Sequence, residues 1–159
     1  MLSQNIETVN GKKYQINKKI GSGKFSSVHA GFQIVNQKGG NNEKNNNDIP
    51  LMNEVCIKIE NTDEREIFNK EIEIMNILKE NNVPNVAHLI DYFEHDGKLH
   101  LVYPLKEGNL YNFMKKNFRN GLPYNYVIKA SKQILSSLIE LHKLGYIHCD
   151  IKPENILIE

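Results

Sequence analysis

Asp150, Lys152 and Asn155 stand within a few residues of one another near the end of the chain, bringing together a carboxylate, an ammonium and a carboxamide. Phosphoryl transfer is chemistry that such a trio could perform. An acceptor hydroxyl must be held in line and relieved of its proton, which Asp150 can do. Lys152 can neutralise charge that develops on the transferred group. Asn155 offers a neutral oxygen suited to Mg2+, a hard cation. Pro153 stiffens the turn between them, and His148 and Cys149 lead into it. A chance surface loop is the alternative, and the long helix that leads into the segment argues against it.

Two more charged groups need partners. Lys58 lies in the middle of Val55-Cys-Ile-Lys-Ile59, a short strand of buried type, where an unpaired ammonium would be costly. The alternative is a lysine snorkelling from an edge strand. The segment 63–80 has a helical pattern, and side chains there advance about 100° per residue. Ile67, Phe68, Ile74, Met75 and Leu78 then share one face with Glu71 at its centre, while Glu73 falls opposite among Asn69, Asn76 and Glu80. One acid on an apolar stripe marks an internal partner. A Lys58–Glu71 pair is therefore expected, against the alternative of a stray buried glutamate, and it would aim the lysine at the α- and β-phosphates of a nucleotide.

The run Ile20-Gly21-Ser22-Gly23-Lys24-Phe25-Ser26-Ser27-Val28 could meet those phosphates, because glycines let backbone amides approach without a Cβ in the way. A dinucleotide fingerprint would open a helix, but the residues from Phe25 to Val35 read as a strand. A Walker A loop is excluded because no G-K-[ST] closes the motif. By itself Gly-Ser-Gly is also an ordinary hairpin turn.

The elements that must position these groups follow along the chain. Residues 14–20 alternate as a half-buried strand and 25–35 return as a second, a hairpin. Residues 36–53 are an Asn- and Gly-rich insertion of low complexity. Strands are expected over 54–59, 86–93 and 98–103, the last two joined by a turn at His95-Asp-Gly97. A short helix over 109–118 takes Asn109 as its N-cap. A long helix follows Pro123 and runs to about Leu144, its apolar positions Val127, Ile134, Leu138 and Leu141 at three-to-four spacing with Ile128 and Leu135 beside them, and Gly145 stops it. The order predicts an α+β fold in two lobes.

Bulk properties narrow the class. The 159 residues suffice for a domain with a core, and a formal net charge of +1 implies no general pull toward nucleic acid or membrane. Two cysteines, Cys56 and Cys149, cannot build a disulfide framework. The first residues lack a basic stretch followed by an apolar run, so they do not read as a signal peptide, and no apolar stretch reaches the ~18 residues needed to span a bilayer. An intracellular, soluble protein is the expectation.

With these motifs in order, the chain resembles the N-terminal part of a eukaryotic-type serine/threonine protein kinase over residues 14–159. The resemblance implies an N-lobe with an antiparallel sheet and one helix over 14–105, preceded by a tail over 1–13, and the first helices of a C-lobe over 106–159. It implies ATP and Mg2+ as cofactors and a protein Ser/Thr hydroxyl as acceptor. Ile20 to Val28 would cover the phosphates, Val28 and Cys56 would form the adenine ceiling, and Leu157 its floor. Tyr103-Pro-Leu105-Lys106 would be the hinge, with Tyr103 as gatekeeper and Pro104 in place of the usual acidic residue. Asp150 and Lys152 would be catalytic, Lys58 and Glu71 would orient the nucleotide, and Asn155 would bind the metal. The loop 148–158 resembles those of dual-specificity tyrosine-regulated and SR-protein kinases. Cys149 stands where an Arg normally grips an activation-loop phosphate, which a thiol cannot do. Switching by that pairing is thus not expected, and a full-length protein that lost all activity on phosphatase treatment would contradict this.

The sequence ends at Glu159, before the D-F-G and A-P-E segments of such kinases. Half of the site is therefore expected to lie elsewhere, on this or a partner chain, and the 159 residues are expected to be inactive alone. A catalytically inactive ATP-binding or protein-interaction module, or a decayed product, are the other readings.

Overall fold

The computed structural model describes residues 3–35, 50–61, 65–119 and 121–159. The chain divides into two compact units, Met1–Glu73 with Leu89–Leu105, and Ile74–His88 with Lys106–Glu159.

The first unit is a six-stranded antiparallel sheet. Its strands are β1 (Gln4–Glu7), β2 (Lys13–Ser22), β3 (Ser26–Val35), β4 (Leu51–Glu60), β5 (Asp91–His95) and β6 (Lys98–Pro104), in the order β1-β2-β3-β4-β6-β5. Apolar and polar residues alternate along β2, so Tyr14 and Ile16 turn inward while Gln15 and Asn17 do not. With Ile6, Val55, Ile57 and Val102 they form the buried core. The β1–β2 hairpin meets β5 through side chains: Tyr14 of β2 donates to Asp91 at 2.7 Å, Lys12 in the turn pairs with Asp91 at 3.0 Å, and Gln4 of β1 meets His95 at 3.3 Å. The sheet therefore curls round its core.

Gly31 shows how tightly β3 is packed: a Cβ there would lie 2.3 Å from the Gln15 carbonyl oxygen and 3.2 Å from Ile57 Cδ1. The β5–β6 hairpin turns through Asp96 and Gly97, whose φ values of 51° and 71° are those of a tight turn matched to strand twist.

Four expectations are revised here. Part of the N-terminal tail is strand β1, which buries Ile6; four residues with one apolar side chain carry too little periodicity to show it. Residues 36–49 of the Asn-rich insertion lie outside the described residues, but its last residues, Leu51 to Asn53, already belong to β4. The strand expected over 86–93 is Asp91–His95; Asn85 takes a left-handed φ of 52° ahead of it, and residues 86–90 make no strand. Helix α1 (Arg65–Glu80) turns Phe68, Ile72 and Leu78 inward, whereas Ile67 is 41% exposed. The inward face is thus rotated from Ile67 toward Ile72.

The second unit contains β7 (Gly108–Asn109), α2 (Leu110–Asn117), α3 (Tyr124–Lys143), a single 3-10 turn Pro153–Asn155 and β8 (Leu157–Ile158). Asn109 caps α2 as expected, its side chain accepting from the Asn112 amide at 2.9 Å. Gly145 adopts φ 82° just beyond α3. The strands β7 and β8 pair, and Leu110 N–H donates to the Ile156 carbonyl at 2.8 Å. This brace holds the end of the Asp150 loop to the start of α2. Phe113, Phe118 and Tyr126 pack as an aromatic group between α2 and α3. Among the described residues no helix is long and apolar enough to cross a membrane.

Candidate active site

In the first unit the expected ion pair is present. Lys58 Nζ donates to Glu71 Oε2 at 2.5 Å, with about a quarter of each side chain exposed. The ammonium also lies 5.2 Å from the ring centre of the buried Phe68, one turn before Glu71 on α1, within cation–π range. Strand β4 delivers Lys58 to this face because Cys56 and Lys58 are two apart, and α1 delivers Phe68 and Glu71 from the same side. The Tyr103 hydroxyl donates to Glu71 Oε1 at 2.8 Å, so both carboxylate oxygens are held. Burial, then the Glu71 carboxylate, pushes the Tyr103 phenol well above its usual range. Cys56 is half-buried opposite Tyr103 in the β4–β6 register, and burial pushes its thiol up.

The glycine run is a hairpin, as expected. Gly21 pairs with Val28 and Ser22 with Ser27, and Gly23 N–H donates to the Ser26 carbonyl at 2.8 Å. Ile20 and Phe25 are exposed, Lys24 lies 5.0 Å over the Phe25 ring, and Ser26 is buried. Val28 stands opposite Lys58. A Cβ at Gly21 would meet Val28 at 3.5 Å and one at Gly23 would meet Ser26 O at 3.9 Å, both ordinary contacts. Neither glycine has a positive φ. Unlike Gly31, these two glycines are not demanded by the fold.

Sequence reasoning missed Asn61. Its side chain donates to the carbonyls of Gly23 (3.2 Å) and Lys24 (2.9 Å), and its backbone N–H to that of Phe25 (3.0 Å). In a trans peptide the N–H points opposite to the C=O it adjoins. Three carbonyls turned to Asn61 therefore turn the amides of Lys24, Phe25 and Ser26 away from it.

In the second unit Asp150, Lys152 and Asn155 come together as expected. Asp150 Oδ2 accepts from Lys152 Nζ at 2.9 Å and from Asn155 Nδ2 at 2.8 Å, and Asn155 Nδ2 also donates to the Asp150 carbonyl at 2.9 Å. These bonds, Lys152 first, hold the exposed Asp150 carboxyl below its ordinary value of 3.8, and Asp150 holds Lys152 up in turn. Asp150 N–H donates to His148 Nδ1 at 3.2 Å, and Cys149 takes a left-handed φ of 64°, a strained turn that presents Asp150. The amide nitrogen of Asn155 is committed to Asp150, which leaves its Oδ1 as a hard oxygen donor, the kind Mg2+ prefers. Leu105 and Lys106 are half-buried, Lys106 pairs with Glu159, and Leu157 is exposed.

A family model described as "Protein kinase domain" matches residues 14–159. The chain is 43% identical over 93 residues to probable serine/threonine-protein kinase dyrk2 of Dictyostelium discoideum, spanning 56% of this chain and 10% of that protein. It is 36% identical over 90 residues to homeodomain-interacting protein kinase 1 of Mus musculus, spanning 55% and 7% respectively. With dual specificity tyrosine-phosphorylation-regulated kinase 3 of Macaca fascicularis it shares 31% over 154 residues, 92% of this chain and 24% of that protein. The chain therefore spans a quarter or less of these relatives.

Proposed function

We propose that this chain, which belongs to the protein kinase domain family, provides the nucleotide-orienting groups and the catalytic loop of a serine/threonine kinase that uses Mg·ATP. The observation that carries the reading is the 2.5 Å Lys58–Glu71 pair, a strand lysine held by an acid from the apolar face of α1. In the proposed reaction the bond between the γ-phosphorus and the β,γ-bridging oxygen breaks. A new bond forms to the Ser or Thr oxygen of a protein, and ADP leaves. Asp150 takes the proton of that hydroxyl, and its lowered pKa keeps it ionised and ready to do so. Lys152 stabilises charge on the moving phosphoryl group, and Lys58 grips the α- and β-phosphates. The amides of Lys24, Phe25 and Ser26, turned away from Asn61, are placed to meet an anion, and the absence of any fold requirement for Gly21 and Gly23 supports close approach by one. Mg2+, which shields the phosphate charge when bound, would be held by Asn155 Oδ1 and the phosphates.

The acceptor is a protein hydroxyl. Lys152, two residues after Asp150, supports Ser/Thr, and the relatives' names include both serine/threonine and dual-specificity kinases. The test is Mg·ATP-dependent phosphorylation of a Ser/Thr protein substrate by this chain joined to the D-F-G and A-P-E segments of such kinases, with Asp150→Ala abolishing it. A second reading, a nucleotide-binding interaction module, is favoured by the exposed apolar residues Leu135 and Ile139 on α3. Thermal stabilisation by ATP without turnover would select it.

A further inference from the structure

We infer that Tyr103 is a positioning residue: its hydroxyl holds one oxygen of Glu71 so that the other grips Lys58. A carboxylate held by one flexible lysine can swing about its last torsion and still keep a contact. A second donor, from a different element, fixes the plane of the group and removes that freedom. Tyr103 suits the task by register. Cys56 lies opposite Tyr103 and Lys58 opposite Leu101, so Tyr103 and Lys58 are diagonal neighbours on one face of the β4–β6 pair. Both reach the single acid that α1 presents to that face.

The phenol is a stiff donor, with two side-chain torsions against the four of lysine. Burial and the neighbouring carboxylate raise its pKa, so it keeps its proton at neutral pH and can only donate to Glu71. The residues linked are far apart in sequence, 13 between Lys58 and Glu71 and 32 between Glu71 and Tyr103, so three elements converge on one carboxylate. The bond is made entirely between this chain's own residues, and it supports the pair on which nucleotide binding would depend. That consequence rests on the function proposed above, while the positioning of Lys58 does not.

The experiment reads both. In the nucleotide-free full chain, the side-chain NMR signals of Lys58 in Tyr103→Phe should move toward those of Glu71→Ala. Affinity for MgADP, measured by calorimetry, should fall about tenfold in Tyr103→Phe, as expected for a lost hydrogen bond to a charged group. In a Glu71→Ala background the same substitution should have no further effect on affinity. A residue that merely packed would lower the unfolding midpoint and leave the Lys58 signals in place. Unchanged Lys58 signals, or an equal loss of affinity in the Glu71→Ala background, overturn the inference. If the wild-type chain binds no MgADP and Lys58→Met behaves alike, the nucleotide reading falls, and the Lys58 signals still decide the positioning role. Should Tyr103→Phe fail to fold, the wild type supplies the test: a Tyr103 hydroxyl proton protected from exchange and lost in Glu71→Ala supports the bond, and an unprotected one refutes it.

Discussion

The two groups of candidate residues, one in each unit, are built differently. Lys58, Glu71 and Tyr103 come from a strand, a helix and a second strand, over a buried phenylalanine and a curled sheet. Asp150, Lys152 and Asn155 come from one exposed loop, and all their mutual bonds span five residues or fewer. Half-buried groups gathered from afar depend on the tertiary fold for their geometry. An exposed loop depends on its own turn chemistry: a proline, a left-handed Cys149, and a carboxamide that bonds back to the carboxylate. Damage to the sheet should therefore disturb the first group without touching the loop's internal bonds, whereas loop substitutions should leave stability nearly unchanged.

The sharpest way to break this contrast is Phe68→Ala. Phe68 is fully buried, and removing the ring leaves a cavity beside the Lys58 ammonium. The expected loss is about 3–5 kcal/mol in denaturant unfolding. Asn155→Ala on the loop should change stability by no more than about 0.5 kcal/mol, so comparable losses in the two variants would refute the contrast. Gly31→Ala comes next. Its Cβ would press on backbone at 2.3 Å, which a side-chain rotation cannot relieve. A loss of about 1–3 kcal/mol is expected, and wild-type stability in that variant would show that β2 and β3 give way easily. Asn61→Ala should cost about 1 kcal/mol, or about fivefold, in MgADP affinity, because it frees the carbonyls of Gly23 and Lys24 and with them the amides beyond. Unaltered affinity would mean that the hairpin orients those amides alone.

The same contrast explains what could be read from the sequence. The Asp150 loop was legible because its bonds are local, and the spacing of its residues carries the geometry. Glu71 was legible because helical periodicity is regular and a lysine in an apolar strand demands an acid. The inward face of α1 was placed correctly at Phe68 and Leu78 but included Ile67 and missed Ile72, since angular steps alone do not say where the neighbouring sheet lies. Tyr103 could be placed on a strand, yet no pattern says that its hydroxyl reaches a glutamate 32 residues earlier. Asn61 likewise bonds to carbonyls 37 and 38 residues away, and an asparagine after a strand looks like any turn residue. Strand β1 hid because only Ile6 in it is buried.

The smallest effect expected is also the most specific. Asp150 is held below its ordinary value of 3.8 by Lys152 first and Asn155 second. A carboxyl lowered in the folded state contributes its stabilisation above its unfolded value and loses it as pH falls through the folded value. The contribution is therefore fully present at neutral pH and is lost in an acidic window below 3.8, and for so exposed a group it is small. Removing the ammonium in Lys152→Ala should move the titration of the Asp150 side-chain carbon upward toward 3.8, and Asn155→Ala should move it less far in the same direction. The unfolding midpoint at neutral pH should fall only slightly in both. If Asp150 titrated unchanged in Lys152→Ala, its ionisation would be governed by something other than the loop's own bonds, and the local construction of this loop would fail.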